Sequence, residues 1–300
     1  MPISPRTPIL REFAIGRQLY LSNKRRPFLA SFKLTYQCNL HCLPCPYHTY
    51  PPQAPSYTQA IQTLHELRKR GNQIVVFEGG EPLLWKDGIH TIHDIIREAK
   101  RLFPRVGLTT NGTLPLDVKP DILWVSMDGL EGTHNYLRQA PIYQNVLKNI
   151  RESDHPRLLV HITINGKNVK EVPEIIQNMQ NMVKGFTIQM YYPYGSEHPE
   201  LLLKKEDRDW VVDQVSKLKK SGIPIYLSQA GLRAMQSQRW RCSPWLVDNA
   251  NPDGMIAQGC YLQHRADIDC KLCGFSPIVE ISLAQQMNLS AIWNGMQLFF

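Results

Sequence analysis

The chain has 300 residues, 43% of them hydrophobic and 20% charged, with a formal net charge of +8. That length can bury a large core, and the composition is that of a soluble globular protein. The longest apolar runs, such as "DILWV" and "IVVF", fall far short of the ~20 residues a spanning helix needs, and the start shows no signal-peptide h-region. The cytoplasm is the expected compartment.

Charge is concentrated at the start, where Arg6, Arg11, Arg17, Lys24, Arg25, Arg26 and Lys33 face Glu12 alone. Leu10, Phe13, Ile15, Leu19 and Leu21 lie between them as an irregular stripe, which suits a solvated helix capping the core. A peripheral contact with an anionic membrane is the second reading of this basic segment, residues 1–28. There is no arginine-rich helix, aromatic nucleic-acid signature or zinc-finger spacing, so nucleic acid is not an expected partner.

From residue 29 the sequence alternates. "LASFKLTY" (29–36) suits a strand, 57–71 an amphipathic helix closed by glycine, "QIVVFEGG" (73–80) a buried strand and 88–102 a second helix. Strands are expected at 105–112 and 121–129 with only a short link between them, a helix at 142–153, a strand at 157–165, a helix at 169–184 and a strand at 186–195. A helix at 205–221 leads to "IPIYLS" (223–228). This beat predicts an α/β fold, a partial (β/α)6 barrel of the triosephosphate-isomerase (TIM) kind over 29–228, although periodicity alone also allows an open doubly wound sheet. Near residue 229 glutamine, tryptophan and cysteine replace the alternation, which marks 229–300 as a small cysteine-rich extension.

The unusual residues fall where the expected strands end. "CNLHCLPC" follows the first, "EGGEP" the second, "TNGT" the third, "SMDG" the fourth, Asn165 the fifth and "YYPYG" the sixth. In parallel β/α folds those ends share one side, where functional loops assemble. Seven cysteines (38, 42, 45, 242, 260, 270, 273) are an odd number in such a chain, and metal explains them better than disulfides. Three thiolates on one loop can hold three irons of a [4Fe–4S] cube and leave the fourth iron open; with His41 or His48 the same loop would make a zinc site. Glycines at 79 and 80 allow positive φ and close approach of a ligand to the backbone, with Glu81 left to accept from an ammonium group and Pro82 stiffening the turn.

The Cys-x3-Cys-x2-Cys loop after one strand and Gly79-Gly80-Glu81-Pro82 after the next resemble the radical S-adenosylmethionine (radical SAM) superfamily over roughly residues 29–228. The resemblance implies that Cys38, Cys42 and Cys45 hold a site-differentiated [4Fe–4S] cluster whose open iron chelates S-adenosylmethionine. Reduction then yields a 5′-deoxyadenosyl radical that acts on a small-molecule, lipid or peptide substrate. It also implies an electron donor such as a ferredoxin or flavodoxin. The Gly79 to Pro82 turn is expected to receive the methionine amino group, Ser126 to reach the ribose or carboxylate with Asn111 in the same neighbourhood, and Arg138 to meet the methionine carboxylate. Many members carry an aromatic residue before the third cysteine; this chain has Pro44, so no residue is assigned to adenine.

The four late cysteines, Cys242, Cys260, Cys270 and Cys273, lie in a segment too short to stand alone without a staple. A second [4Fe–4S] cluster is favoured, with structural zinc as the alternative. "CKLCGFSP" (270–277) resembles the SPASM/twitch extensions of peptide-modifying members and the adenosyl-transferring enzyme of hopanoid lipid synthesis. Tyr191, Tyr192 and Tyr194 are expected to line the cavity or pack beneath the extension, and Asp128 to form a turn or accept a proton. A non-catalytic iron–sulfur carrier or scaffold is the competing hypothesis for the whole chain.

Overall fold

A computed structural model describes residues 25–43, 45–192, 198–260 and 269–300. The expectations for residues 1–24, Pro44 and Tyr194 lie outside the described residues.

The alternating stretches form the strands β1 (Leu29–Thr35) and β2 (Ile74–Gly79), a short hairpin of β3 (Lys86–Asp87) and β4 (His90–Thr91), then β5 (Arg105–Thr110), β6 (Ile122–Ser126), β7 (Leu158–Ile164) and β8 (Phe186–Met190). Helix α1 (Tyr57–Arg70) links β1 to β2, α2 (Ile92–Leu102) precedes β5, α3 (Glu131–Arg138) and α4 (Tyr143–Glu152) link β6 to β7, and α5 (Val172–Met179) precedes β8. α6 (Lys205–Lys220) and α7 (Gln229–Ser237) follow, then β9 (Val247–Ala250), β10 (Ile256–Gln258), α8 (Ser276–Gln285) and α9 (Leu289–Phe299). The main sheet runs β10-β9-β1-β2-β5-β6-β7-β8, parallel throughout except for the terminal pairing of β10 with β9. Among the described residues no helix is long and apolar enough to cross a membrane.

Local chemistry sets the element ends. α1 starts in a capping box, where Gln59 N donates to Ser56 Oγ at 3.3 Å and Ser56 N to Gln59 Oε1 at 2.9 Å, and it stops at Gly71 with φ 122°. Alternate strand residues, among them Phe32, Phe77, Leu108, Leu123, Val160 and Ile188, face the helices in one core. Their neighbours point to the other face. β2 and β7 are separated by two strands, yet Val76 of β2 and Leu159 of β7 belong to one packed cluster with Trp124 of β6, so the sheet curls and that face lines a lumen. Trp124, Leu159 and Ile122 pack with Val76, Leu298 and Phe299 as an apolar floor.

Beyond the last barrel helix, Ile225 makes a single parallel bridge to Phe186, and Tyr226 N donates to Phe186 O at 2.7 Å. One difference from the sequence reading has a physical cause: the cysteine-rich segment adds a strand to the sheet, β9 beside β1. Its "VDNA" carries no apolar alternation, because Asp248 is buried against Arg70 (2.8 and 2.9 Å) and Asn72 (2.8 Å) and Asn249 against Lys33 (3.0 Å). Lys33 also leaves the basic stretch it belongs to in sequence, since it points into the lumen fully buried.

Candidate active site

The cysteine loop is held from two sides. After β1, Gly80 N donates to Thr35 O at 2.7 Å and Glu81 N to Gln37 O at 2.8 Å, which clasps the glycine turn onto the chain leading into Cys38. A Cβ at Gly79 would lie 2.4 Å from Thr35 O and one at Gly80 would lie 2.1 Å from Gln37 O; Gly79 also has φ 126°. The glycines therefore admit the protein's own backbone. On the other side Leu43 N donates to Leu137 O at 2.8 Å, which ties the loop to α3.

Glu81 is wholly buried, and its carboxylate accepts three hydrogen bonds within the protein. Oε1 accepts from Leu83 N at 3.0 Å and Thr110 Oγ1 at 2.8 Å, and Oε2 from Asn111 N at 2.7 Å. Burial pushes its carboxyl above the ordinary range while these donors pull the other way. The side chain thus stitches the end of β2 to the end of β5. Asn111 uses Oδ1 to accept from Thr113 N at 2.9 Å; its Nδ2 donates to Asn39 Oδ1 at 2.8 Å and lies 3.8 Å from Cys38 Sγ.

Arg138, at the end of α3, stands on Cys42. Its Nη1 is 3.7 Å from Cys42 Sγ and its Nη2 is 2.6 Å from Asp128 Oδ2, while Nε is buried with no hydrogen-bond partner among the described residues. Burial works against the guanidinium charge, but Asp128, Cys42 and Cys45 more than offset it. Asp128 is fixed in turn by Thr163 N at 2.9 Å. Its role as the clamp on Arg138 was missed in sequence, where the ten-residue separation hides the pairing. Ser126 stands half-buried at the end of β6, in register with His161.

The thiols of Cys38 and Cys45 are both raised by burial, Cys45 to about 12, and each is raised further by its neighbours in the triplet. Among the described residues no three of His, Cys, Asp and Glu converge on a single-ion point, as a zinc site demands. A cube takes one thiolate per corner and needs no such convergence. His41 packs edge-on against His48 at 5.7 Å between ring centroids. Three thiols on one strand-end loop, a polar scaffold around two of them and an unpaired buried Nε beside the third suit a site-differentiated cluster with an anionic co-ligand.

The late cysteines lie near enough to act on one another electrostatically. Burial, then Cys260, Cys273 and Cys270, push the Cys242 thiol up to about 12; burial, then Cys260 and Cys270, push Cys273 up to about 11. These four come from either side of β9 and β10 and from the turn before α8. Cys273 is pinned to the barrel through Gly274 O, which accepts from Met190 N at 2.9 Å at the end of β8. The next two residues reach both sites: Tyr191 packs with Leu137 and Leu43 of the first, and Tyr192 Oη accepts from Asp269 N at 2.6 Å beside Cys270.

Sequence reasoning passed over Lys33, Glu78 and His161 on the lumen wall. Its available signal was a charge inside each of two strands buried on both faces.

A curled parallel sheet with a three-thiol loop and polar strand-end anchors at its C-terminal mouth defines a class of iron–sulfur enzyme. Residues 32–179 form a radical SAM domain, for the model of the radical SAM superfamily matches that stretch. The chain is 29% identical over 170 residues to the AdoMet-dependent heme synthase of Methanosarcina barkeri, covering 50% of this chain and 46% of that protein. It is 23% identical over 227 residues to the Fe-coproporphyrin III synthase of the same organism, covering 69% and 56%. The chain thus spans about half the length of the curated relatives it matches. Streptococcus suis SuiB, solved with S-adenosylmethionine, shares the fold at a TM-score of 0.65 and 14% identity, over 91% of this chain and 68% of that one. The anSMEcpe structure with bound AdoMet and a peptide gives 0.59 and 16%, over 91% and 83%.

Proposed function

We propose that the chain holds a [4Fe–4S] cluster on Cys38, Cys42 and Cys45, binds S-adenosylmethionine beside it and acts on a polar substrate in the lumen below. The carrying observation is Arg138, held by Asp128 against Cys42 with its buried Nε unpaired among the described residues. When bound and reduced, the cluster supplies the electron that splits S-adenosylmethionine into methionine and a 5′-deoxyadenosyl radical. The residues do the rest. Arg138 offsets thiolate charge at Cys42 and offers Nε to the methionine carboxylate. Backbone carbonyls of the Gly79 to Pro82 turn meet the methionine amino group, Ser126 faces the ribose, and Asn111 orients Cys38. The apolar floor of Trp124, Leu159 and Phe299 closes the lumen below and keeps water from the reactive centre.

Cys242, Cys260, Cys270 and Cys273 hold a second [4Fe–4S] cluster in this reading, with Tyr191 and Tyr192 on the path between the two centres. Residues 29–228 are the catalytic barrel, 1–28 a basic lead segment and 229–300 the accessory unit that also completes the sheet. A ferredoxin or flavodoxin supplies electrons, and the setting is cytoplasmic, with membrane contact through the lead segment. The polar lumen favours a peptide or polar metabolite over an isoprenoid, in keeping with SuiB, solved with the precursor peptide SuiA, and with relatives named for heme synthesis.

Anaerobically reconstituted protein given dithionite and S-adenosylmethionine should release 5′-deoxyadenosine, and Cys42→Ala should abolish it. Release undiminished in that variant refutes the assignment; clusters without any release point to the carrier hypothesis.

A further inference from the structure

The buried stripe of α6 carries one side chain of the wrong chemistry for a core. Its buried residues are Arg208, Val211, Val212 and Val215, spaced i, i+3, i+4 and i+7 as an apolar seam requires. Three are valines and the first is an arginine, 6% exposed. The guanidinium joins two other elements: Nη1 donates to Met235 O of α7 at 3.0 Å, and Nη2 to Leu272 O at 3.2 Å. Leu272 lies inside the Cys270-x2-Cys273 turn, so this cation is tied to the backbone that presents two of the late cysteines.

A buried charge calls for a counter-charge, because its desolvation is otherwise uncompensated. Arg138 has one, in Asp128 Oδ2 at 2.6 Å. Arg208 pairs with no carboxylate among the described residues, and both of its hydrogen-bond acceptors are neutral carbonyls. The carboxylates on either side of it in the chain are engaged elsewhere, Asp207 with Lys170 at 2.8 Å and Asp209 with Lys205. Burial works against its charge, and the groups that favour that charge are Cys273 first and Asp209 second. An aliphatic residue at 208 would continue the valine seam without this cost, so stability does not explain the arginine. An anionic, thiolate-bound centre beside the turn does.

We infer that Arg208 is a positioning residue for the second centre: it holds the Cys270-x2-Cys273 turn and supplies the buried positive charge that favours the reduced form of that centre. This rests on the reading of the four late cysteines as ligands of a second [4Fe–4S] cluster. Each electron added makes a thiolate-bound cluster more negative, and a fixed cation shielded from water stabilises the more negative form. Each cysteine set then has a buried arginine against it. At the first set Asp128 offsets the cation, and at the second no described carboxylate does.

The test is a potentiometric titration of the cluster-loaded full chain with dithionite, followed by electron paramagnetic resonance, in the wild type, Arg208→Met and Arg208→Lys. Added S-adenosylmethionine should perturb the signal of the first centre alone, which tells the two apart. Arg208→Met continues the apolar seam and should lower the midpoint of the second centre by about 59 mV, a tenfold change in its reduced-to-oxidised ratio at a fixed potential. The first centre should stay where it is. Arg208→Lys keeps the charge and should recover most of the shift. Iron and sulfide per chain report loading, and loss from the second centre in Arg208→Met but not in Arg208→Lys also supports the inference. Loss in both variants shows that the hydrogen bonds matter and the charge does not, which overturns it. A fully loaded second centre whose midpoint Arg208→Met leaves in place, or Arg208→Lys fails to restore, overturns it equally. A wild type with no second signal refutes the second cluster itself, and the inference with it, so the two failures are distinguishable.

Discussion

Glu280 on α8 joins three elements of the C-terminal region, and its ionisation should show in the pH dependence of stability. Oε1 accepts from Ser228 N at 3.0 Å and Ser228 Oγ at 2.7 Å at the start of α7, and Oε2 accepts from Asn294 Nδ2 at 2.9 Å on α9. Burial raises its carboxyl from 4.5 to about 7, with the Ser228 and Asn294 hydrogen bonds and Lys219 pulling the other way. The folded state thus holds the proton more tightly than the unfolded chain. The contribution is fully present below pH 4.5 and is lost as pH rises through about 7. At about 1.4 kcal/mol per pH unit the loss amounts to about 3 kcal/mol. Glu280→Gln removes the charge and keeps the contacts: its carbonyl serves Ser228, and its amide can donate to Asn294 Oδ1, which is buried without a partner among the described residues, once the Asn294 amide turns over. The variant should match the wild type at about pH 4 and exceed it by about 3 kcal/mol at about pH 8. Urea unfolding followed by circular dichroism at the two pH values measures this. A difference independent of pH, or a variant weaker at pH 8, refutes the reasoning.

Asp128→Asn leaves the buried Arg138 charge uncompensated and sets an amide against Nη2, so it should cost about 3–5 kcal/mol in the same unfolding assay. Adding Arg138→Met should recover part of that loss. Gly80→Ala drives a methyl group into the Gln37 carbonyl and should cost about 3 kcal/mol, with iron lost first from the triplet site in a metal assay. Cys273→Ser should lower iron and sulfide per chain by about half if both centres are cubes; an unchanged iron count would show that the late cysteines do not hold one.

The strand ends were legible because each apolar run breaks off at a polar motif, and a parallel sheet gathers such breaks on one side. That is why the cysteine triplet, Asn111 and Arg138 come together although 100 residues separate the first from the last. The same periodicity could not reveal β9, whose buried Asp248 and Asn249 are polar because their partners Arg70, Asn72 and Lys33 lie far away in sequence. Nor could it tell that Lys33 belongs to the lumen and not to the basic surface of the first residues. Nor could it show that Glu81 accepts from Leu83, Thr110 and Asn111 and so ties the end of β2 to the end of β5.

By itself, the sequence determined the order of the six barrel strands, the three-thiol loop and the superfamily, because these rest on spacing along the chain. The tertiary structure alone decided which side chains share a charge: Arg138 with Asp128 and Cys42, and Lys33 with Glu78. Hydrogen bonds and ion pairs act over a few ångströms through space, and curling the sheet sets those distances without leaving a periodic mark in the sequence.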